Sequence, residues 1–126
     1  MALEFYKCAH CGNIAVKPFD SGVPLVCCGE KMALLEPNTV DAATEKHVPV
    51  VTVDGATVKV AVGEVEHPMA EDHYITFIVL ETEKGYQTAP LAPGQKPEAT
   101  FAVAEGDKPV AAYEYCNKHG LWKAEI

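Results

Sequence analysis

The chain is 126 residues long, 48% hydrophobic, and carries a formal net charge of −8. That length suits one ordinary domain, or a domain with a small appendage, around a real apolar core. The acidic balance argues against a nucleic-acid-binding surface, and no apolar run approaches the roughly 20 residues of a membrane-spanning helix.

Met1-Ala2-Leu3-Glu4-Phe5 lacks the basic and apolar regions of a signal peptide. The five cysteines are an odd count. Their spacing reads as metal-bound thiolates in a reducing compartment rather than as disulfides. The expected setting is the cytoplasm, with no membrane and no nucleic-acid partner.

Residues 1–36 form the first expected domain. Cys8-Ala9-His10-Cys11-Gly12 is a knuckle whose trailing glycine permits a positive φ and lets backbone N–H groups point at sulfur. Cys27-Cys28-Gly29 supplies a second thiol pair. Two such pairs are a strong signal for a tetrahedral metal site, with a disulfide pair as the alternative. Zinc and iron both suit four sulfurs. A segment below about 40 residues rarely builds a sufficient core, so the metal should supply much of its folding energy. Neighbouring Cys27 and Cys28 reach one metal only through a bent backbone, which predicts a distorted tetrahedron. His10 is surplus to four thiolates and reads as a solvated loop residue.

Leu34 to Thr39 reads as a linker, because Pro37 and Asn38 break any regular element. Asp41-Ala42-Ala43-Thr44 predicts a helical turn. The second expected domain, residues 37–126, reads as all-β. His47 to Val53 predicts a strand, Asp54-Gly55 a type I′ hairpin, and Thr57 to Val62 the returning strand. Tyr74 to Glu83 is a long apolar strand that turns at Lys84-Gly85 into Tyr86 to Ala89. Ala92 to Pro97 is a loop. Ala99 to Ala104 and Val110 to Tyr115 are two more strands, and Leu121 to Ala124 closes the chain. Some seven short strands with turn signals between them are the pattern of an immunoglobulin-like sandwich. The fold class is thus mostly β: a small metal-stapled domain followed by that sandwich.

Chemistry-bearing residues fall at strand ends and in loops of this second domain. Cys116 and His119 sit three apart, a chelating spacing. His47 starts a strand, His67 is pushed toward extended geometry by Pro68, and His73 closes the loop Met69 to Asp72. If these converge at one end of the sandwich, the site has four imidazoles and one thiolate. That set suits redox iron better than zinc, which usually stops at four ligands. A four-ligand zinc site or scattered histidines are the plainer alternatives.

The segments CAHCGN, CCGE, NTVDAATEKHVPV, HPM, DHY and EYCNKHGLWKAE together resemble desulfoferrodoxin, the two-iron superoxide reductase, over nearly the whole chain. The resemblance implies two mononuclear irons per chain. Cys8, Cys11, Cys27 and Cys28 would hold a desulforedoxin-like iron. His47, His67, His73 and His119 would be equatorial ligands of a catalytic iron, with Cys116 axial. Glu45 and Lys46 would flank an open sixth position, Lys46 attracting the anion and Glu45 closing on the oxidised metal. The implied activity is one-electron reduction of superoxide to hydrogen peroxide, in oxygen detoxification, with a rubredoxin-like electron donor and a homodimeric assembly. The residues themselves leave Glu45 and Lys46 equally readable as a surface pair worth little, and leave the charge of Lys118, between two ligands, unplaced. The competing function is a non-catalytic electron-transfer or binding protein. A dismutase is a weaker third reading, since a donating thiolate biases iron toward reducing superoxide.

Overall fold

Between Thr57 and Val62 the side chains alternate: Val58, Val60 and Val62 are buried, while Thr57 and Lys59 face solvent. Side chains two apart share a face of an extended chain, so this segment has a core side and a water side. The computed structural model of the chain describes residues 3–126, and they divide into two compact units, 3–36 and 37–126.

The first unit contains five two-residue strands: β1 (Tyr6–Lys7), β2 (Ile14–Ala15), β3 (Val26–Cys27), β4 (Glu30–Lys31) and β5 (Ala33–Leu34). They pair antiparallel as β2-β1-β5 and β3-β4. Strands this short bury little. Phe5 and Cys8 are its only fully buried residues among those described.

The second unit opens with one helical turn, α1 (Thr44–His47). Seven strands follow: β6 (Pro49–Asp54), β7 (Thr57–Val62), β8 (Ile75–Thr82), β9 (Gly85–Pro90), β10 (Glu98–Ala102), β11 (Pro109–Cys116) and β12 (Gly120–Glu125). They form a three-stranded sheet, β10-β7-β6, and a four-stranded sheet, β12-β11-β8-β9, all antiparallel. Between the sheets Val58, Val60 and Val62 cluster with Ile75, Ile78, Leu80, Phe101 and Ala112. Each of these Val, Ile, Leu and Phe side chains is worth about 1.5–3 kcal/mol when fully buried, so this unit has a core of its own.

Four local expectations need correction. His47 does not start a strand; it ends α1, because the Val48 N–H reaches back to Thr44 O at 3.0 Å. The helical turn therefore lies at Thr44–His47 rather than at Asp41 to Thr44. Pro49 then forces Val48 into extended geometry (φ −69°, ψ 124°), so the strand begins at the proline. The β6–β7 turn is closed by the Asp54–Thr57 pair, with Gly55 alone at positive φ (59°). A type I′ turn needs positive φ at both central residues, so it is not that form. Gly85 pairs with Thr82 and belongs to β9, which moves that turn to Glu83-Lys84.

One irregularity bears on the site. Cys116 pairs with Ile75 and Tyr115 with Phe77, which leaves Thr76 as an extra residue on β8. Its hydroxyl donates to Tyr115 O at 3.0 Å. A bulge of this kind re-aims the side chains beside it; here both Ile75 and Cys116 end up fully buried.

Candidate metal centres

In the first unit the sulfurs of Cys8, Cys11, Cys27 and Cys28 all lie within 4.8 Å of one another. Cys11 Sγ is 3.6 Å from Cys27 Sγ, which is 4.0 Å from Cys28 Sγ. The backbone bend expected at the adjacent pair is present: Cys28 has φ 53° and Gly29 φ 75°. The N–H groups of Cys11 and Asn13 point at Cys8 Sγ and Cys11 Sγ, each at 3.5 Å. Backbone N–H groups of Cys11 and His10 pull the Cys8 thiol down to about 6, while the crowding thiols of Cys8, Cys11 and Cys27 push Cys28 up to about 12. One thiolate forms easily here and four together do not, unless a cation sits among them. The donor set fits a soft, tetrahedral metal ion. His10 stays outside the sulfurs and exposed, but is not merely solvated: its Nε2 meets Glu30 Oε2 at 3.0 Å, linking the two knuckles.

In the second unit the ligand atoms of His47, His67, His73, Cys116 and His119 also lie within 4.8 Å of one another. All five expected residues converge. Taken in the order His47, His67, His73, His119 and back, the ring centroids are 4.7, 4.7, 5.1 and 4.9 Å apart, each ring turned 75–87° to the next. This is a square of imidazoles. His67 and His119 occupy opposite corners, yet Cys116 Sγ reaches both, at 3.5 Å from His67 Nε2 and 3.9 Å from His119 Nδ1. A sulfur within reach of two diagonal corners lies on one face of the square, not along its edge. The other face is left without a donor from this set.

The tautomers are fixed from behind. His47 Nδ1–H donates to Ala43 O at 2.7 Å and His67 Nδ1–H to Pro68 O at 2.6 Å. Carbonyls only accept, so the protons sit on Nδ1 and each Nε2 carries a bare lone pair. Those two lone pairs are 3.2 Å apart, and His47 Nε2 is 3.1 Å from His119 Nδ1. His73 Nε2 is buried with no hydrogen-bond partner. Converging lone pairs and an orphaned ring nitrogen are what a cation would satisfy, and a carbonyl behind the ligating imidazole is the usual support. Burial holds His67 down to about 4 and lowers His47 and His73 as well, so these rings stay neutral and ready to ligate. Burial raises the Cys116 thiol, partly offset by the N–H groups of Lys118 and His119 that face its sulfur.

Each donor is stapled by the loop next to it. Asn117 accepts from the Tyr74 N–H at 2.9 Å and donates from Nδ2 to Asp72 O at 3.0 Å, tying the turn before His119 to both flanks of His73. The Val65 N–H donates to Glu45 O at 2.8 Å, joining the segment of His47 to the loop of His67. Lys118 turns outward, with Nζ 3.8 Å from Asp72 Oδ2 and both side chains exposed, so its ammonium is shared with a carboxylate at the rim. Glu45 and Lys46 are exposed on α1 and are not among the five converging residues. Their charges nonetheless act on His47, Lys46 disfavouring and Glu45 favouring its protonation.

Two family signatures cover almost the full sequence: that of the desulfoferrodoxin N-terminal domain matches residues 2–35, and that of desulfoferrodoxin matches residues 39–125. The chain belongs to the desulfoferrodoxin family. It is 52% identical over 124 residues to the desulfoferrodoxin of Desulfarculus baarsii and 51% identical over 125 residues to that of Syntrophotalea carbinolica. Each match covers 98% of this chain and 96% of the relative. Among solved structures it is similar to the superoxide reductase from Treponema pallidum, with a TM-score of 0.84, 40% identity, and 99% and 100% of the two chains covered.

This desulfoferrodoxin carries two further residues at the site, Trp122 and Glu114. Trp122 is buried, stacks on His47 with centroids 5.0 Å apart and planes 27° apart, and donates from Nε1 to His119 O at 3.0 Å. One side chain thus braces two ligands. The signal was there: the only tryptophan in the chain follows His119 by three residues. Glu114 is fully buried two residues before Cys116, its carboxyl oxygens without partners, and burial pushes it well above the usual carboxylate range. Nothing in the sequence separates it from an exposed strand residue.

Proposed function

We propose that this desulfoferrodoxin is a superoxide reductase whose reaction takes place at the five-donor site of the second unit. The observation that carries the reading is the square of four imidazoles with a sulfur on one face: five donors with one direction left over. His47, His67 and His73 would hold iron through Nε2, His119 through Nδ1, and Cys116 through sulfur. The thiols of Cys8, Cys11, Cys27 and Cys28 would hold the second iron. Iron bound in the five-donor site supplies one electron and an open coordination position to superoxide.

The protein's own share is selection and proton supply. Superoxide is a small anion, and the exposed ammonium of Lys46 raises the local potential and the encounter rate on an otherwise acidic molecule. Reduction to hydrogen peroxide consumes one electron and two protons per superoxide, and the protons reach the site through water around the exposed Lys46. Glu45, its neighbour on α1, would close over the oxidised metal as a carboxylate ligand. The electron comes from a rubredoxin-like donor protein. A cytoplasmic setting, a homodimer and a role in oxygen detoxification complete the proposal, supported by the five free thiols and by the family resemblance.

The test is stoichiometry. Metal analysis should give two irons per chain, and superoxide added to the reduced protein should yield hydrogen peroxide with no oxygen evolved. Evolution of half a mole of oxygen per superoxide would make the protein a dismutase and end this reading.

A further inference from the structure

Gly63 follows β7 and begins the loop that leads to His67. A Cβ at this position would lie 2.8 Å from Glu45 O, 2.9 Å from Lys46 C and 3.1 Å from Val48 O. All three are backbone atoms, so no rotamer change relieves the contact. Gly63 cannot easily retreat. Its neighbour Val62 is buried in the core, donates its N–H to Pro97 O at 2.8 Å, and accepts the His67 N–H at 3.0 Å. On the other side the Val65 N–H holds Glu45 O. The loop therefore presses backbone to backbone against the segment 45–48, and only a residue without a side chain allows it.

We infer that Gly63 is a positioning residue: its missing side chain lets the Glu45–Lys46 segment seat against the His67 loop, which sets where those two side chains stand relative to the metal site. The contacted backbone atoms flank His47, whose ring is held from outside this segment by the stack on Trp122. A side chain at 63 should therefore displace Glu45 and Lys46 before it dislodges the ligand. This rests on reading Glu45 and Lys46 as the groups that serve the open coordination position.

The experiment is Gly63→Ala in the iron-loaded protein, beside Glu45→Ala and the double variant. Amide hydrogen exchange should rise several-fold in the 43–48 segment and stay unchanged across 116–122, with two irons retained. The visible band of the oxidised protein should shift in the direction that Glu45→Ala shifts it, and Gly63→Ala should add nothing in the Glu45→Ala background, an outcome general damage would not produce. If Gly63→Ala does not fold, Val65→Pro replaces it: it removes the N–H that holds Glu45 O and should give the same exchange and band changes. Wild-type exchange at 43–48 overturns the inference, as does an unshifted band where Glu45→Ala shifts it. If Glu45→Ala itself leaves the band unchanged, the role given to Glu45 fails, and the exchange result alone decides the positioning.

Discussion

The four thiols of the first unit come from two short stretches, Cys8–Cys11 and Cys27-Cys28, whereas the five donors of the second come from α1, the loop between β7 and β8, the end of β11 and the turn that follows it. The first site sits in a unit with two-residue strands and almost no buried apolar side chain; the second sits at the edge of a packed sandwich. The difference is one of order. In the first unit a metal has to make the structure, because little else pays for the ordered backbone. In the second the structure makes the site: rings are oriented by carbonyls, by Asn117 and by Trp122.

The largest expected effect follows directly. Cys28→Ser should lose the first metal, and with it a binding free energy on the scale of about 10–16 kcal/mol seen for structural zinc peptides. Hydrogen exchange should then show residues 3–36 unprotected while β6 to β12 keep their protection. Protection retained throughout the first unit would mean that it folds without metal, and the contrast would vanish.

A smaller effect is expected at Trp122, which tests whether the second site is braced by the fold. Trp122→Ala should cost about 3–5 kcal/mol through the cavity. Trp122→Phe keeps a ring against His47 and loses only the N–H to His119 O, a loss of about 1 kcal/mol. Cobalt binding to the metal-free protein, followed by its visible spectrum, should weaken modestly in the Phe variant and severely in the Ala variant. Equal affinity in all three proteins would show that Trp122 is ordinary core.

Lys46→Ala tests the role proposed for Lys46 at the same site. It should slow the bimolecular reaction with superoxide several-fold at low salt and flatten its ionic-strength dependence, since exposed charges are screened over about 8–10 Å at physiological salt. An unchanged low-salt rate would leave Lys46 a solvated surface residue.

The smallest effect is on acid stability of the metal-free second unit. His47, His67 and His73 are held below their ordinary value of 6.5, His67 to about 4. Below pH 6.5 the unfolded chain takes up protons that the folded site refuses. Stability is therefore full above that pH and falls as pH drops toward 4. Glu114, raised by burial, works in the opposite direction. Urea midpoints should fall on acidification in Glu114→Gln, and more steeply than in the wild type; a flat profile in that variant would mean that the site opens to water without its metal.

How far each site was legible in the sequence follows the same contrast. Local spacing exposes the four-thiol site, because a CxxC knuckle and a Cys-Cys-Gly turn bring sulfur together within a few residues. Period-two burial in Thr57–Val62 and the turn signals give the seven strands to within a residue or two. The square of imidazoles was only one of several arrangements open to the residues alone, because its members are separated by whole strands; the family resemblance selected it. What stayed hidden depends on contacts across that separation. His47 belongs to a helical turn because Val48 reaches back to Thr44 and Pro49 stops it. Trp122 shows its role only once β12 lies beside α1, and Gly63 looks like an ordinary strand-end glycine until Glu45 O is found 2.8 Å from its absent side chain.

If superoxide is reduced at the five-donor site independently of the four-thiol metal, a chain lacking only that metal should keep its speed. The direct measurement is the pulse-radiolysis rate of Cys28→Ser, loaded with iron at the second site only, against the wild type. The first bimolecular step should stay within a factor of about two of wild type, a barrier change of roughly 0.4 kcal/mol. A loss of most of that rate, with the second iron still in place, would contradict that independence.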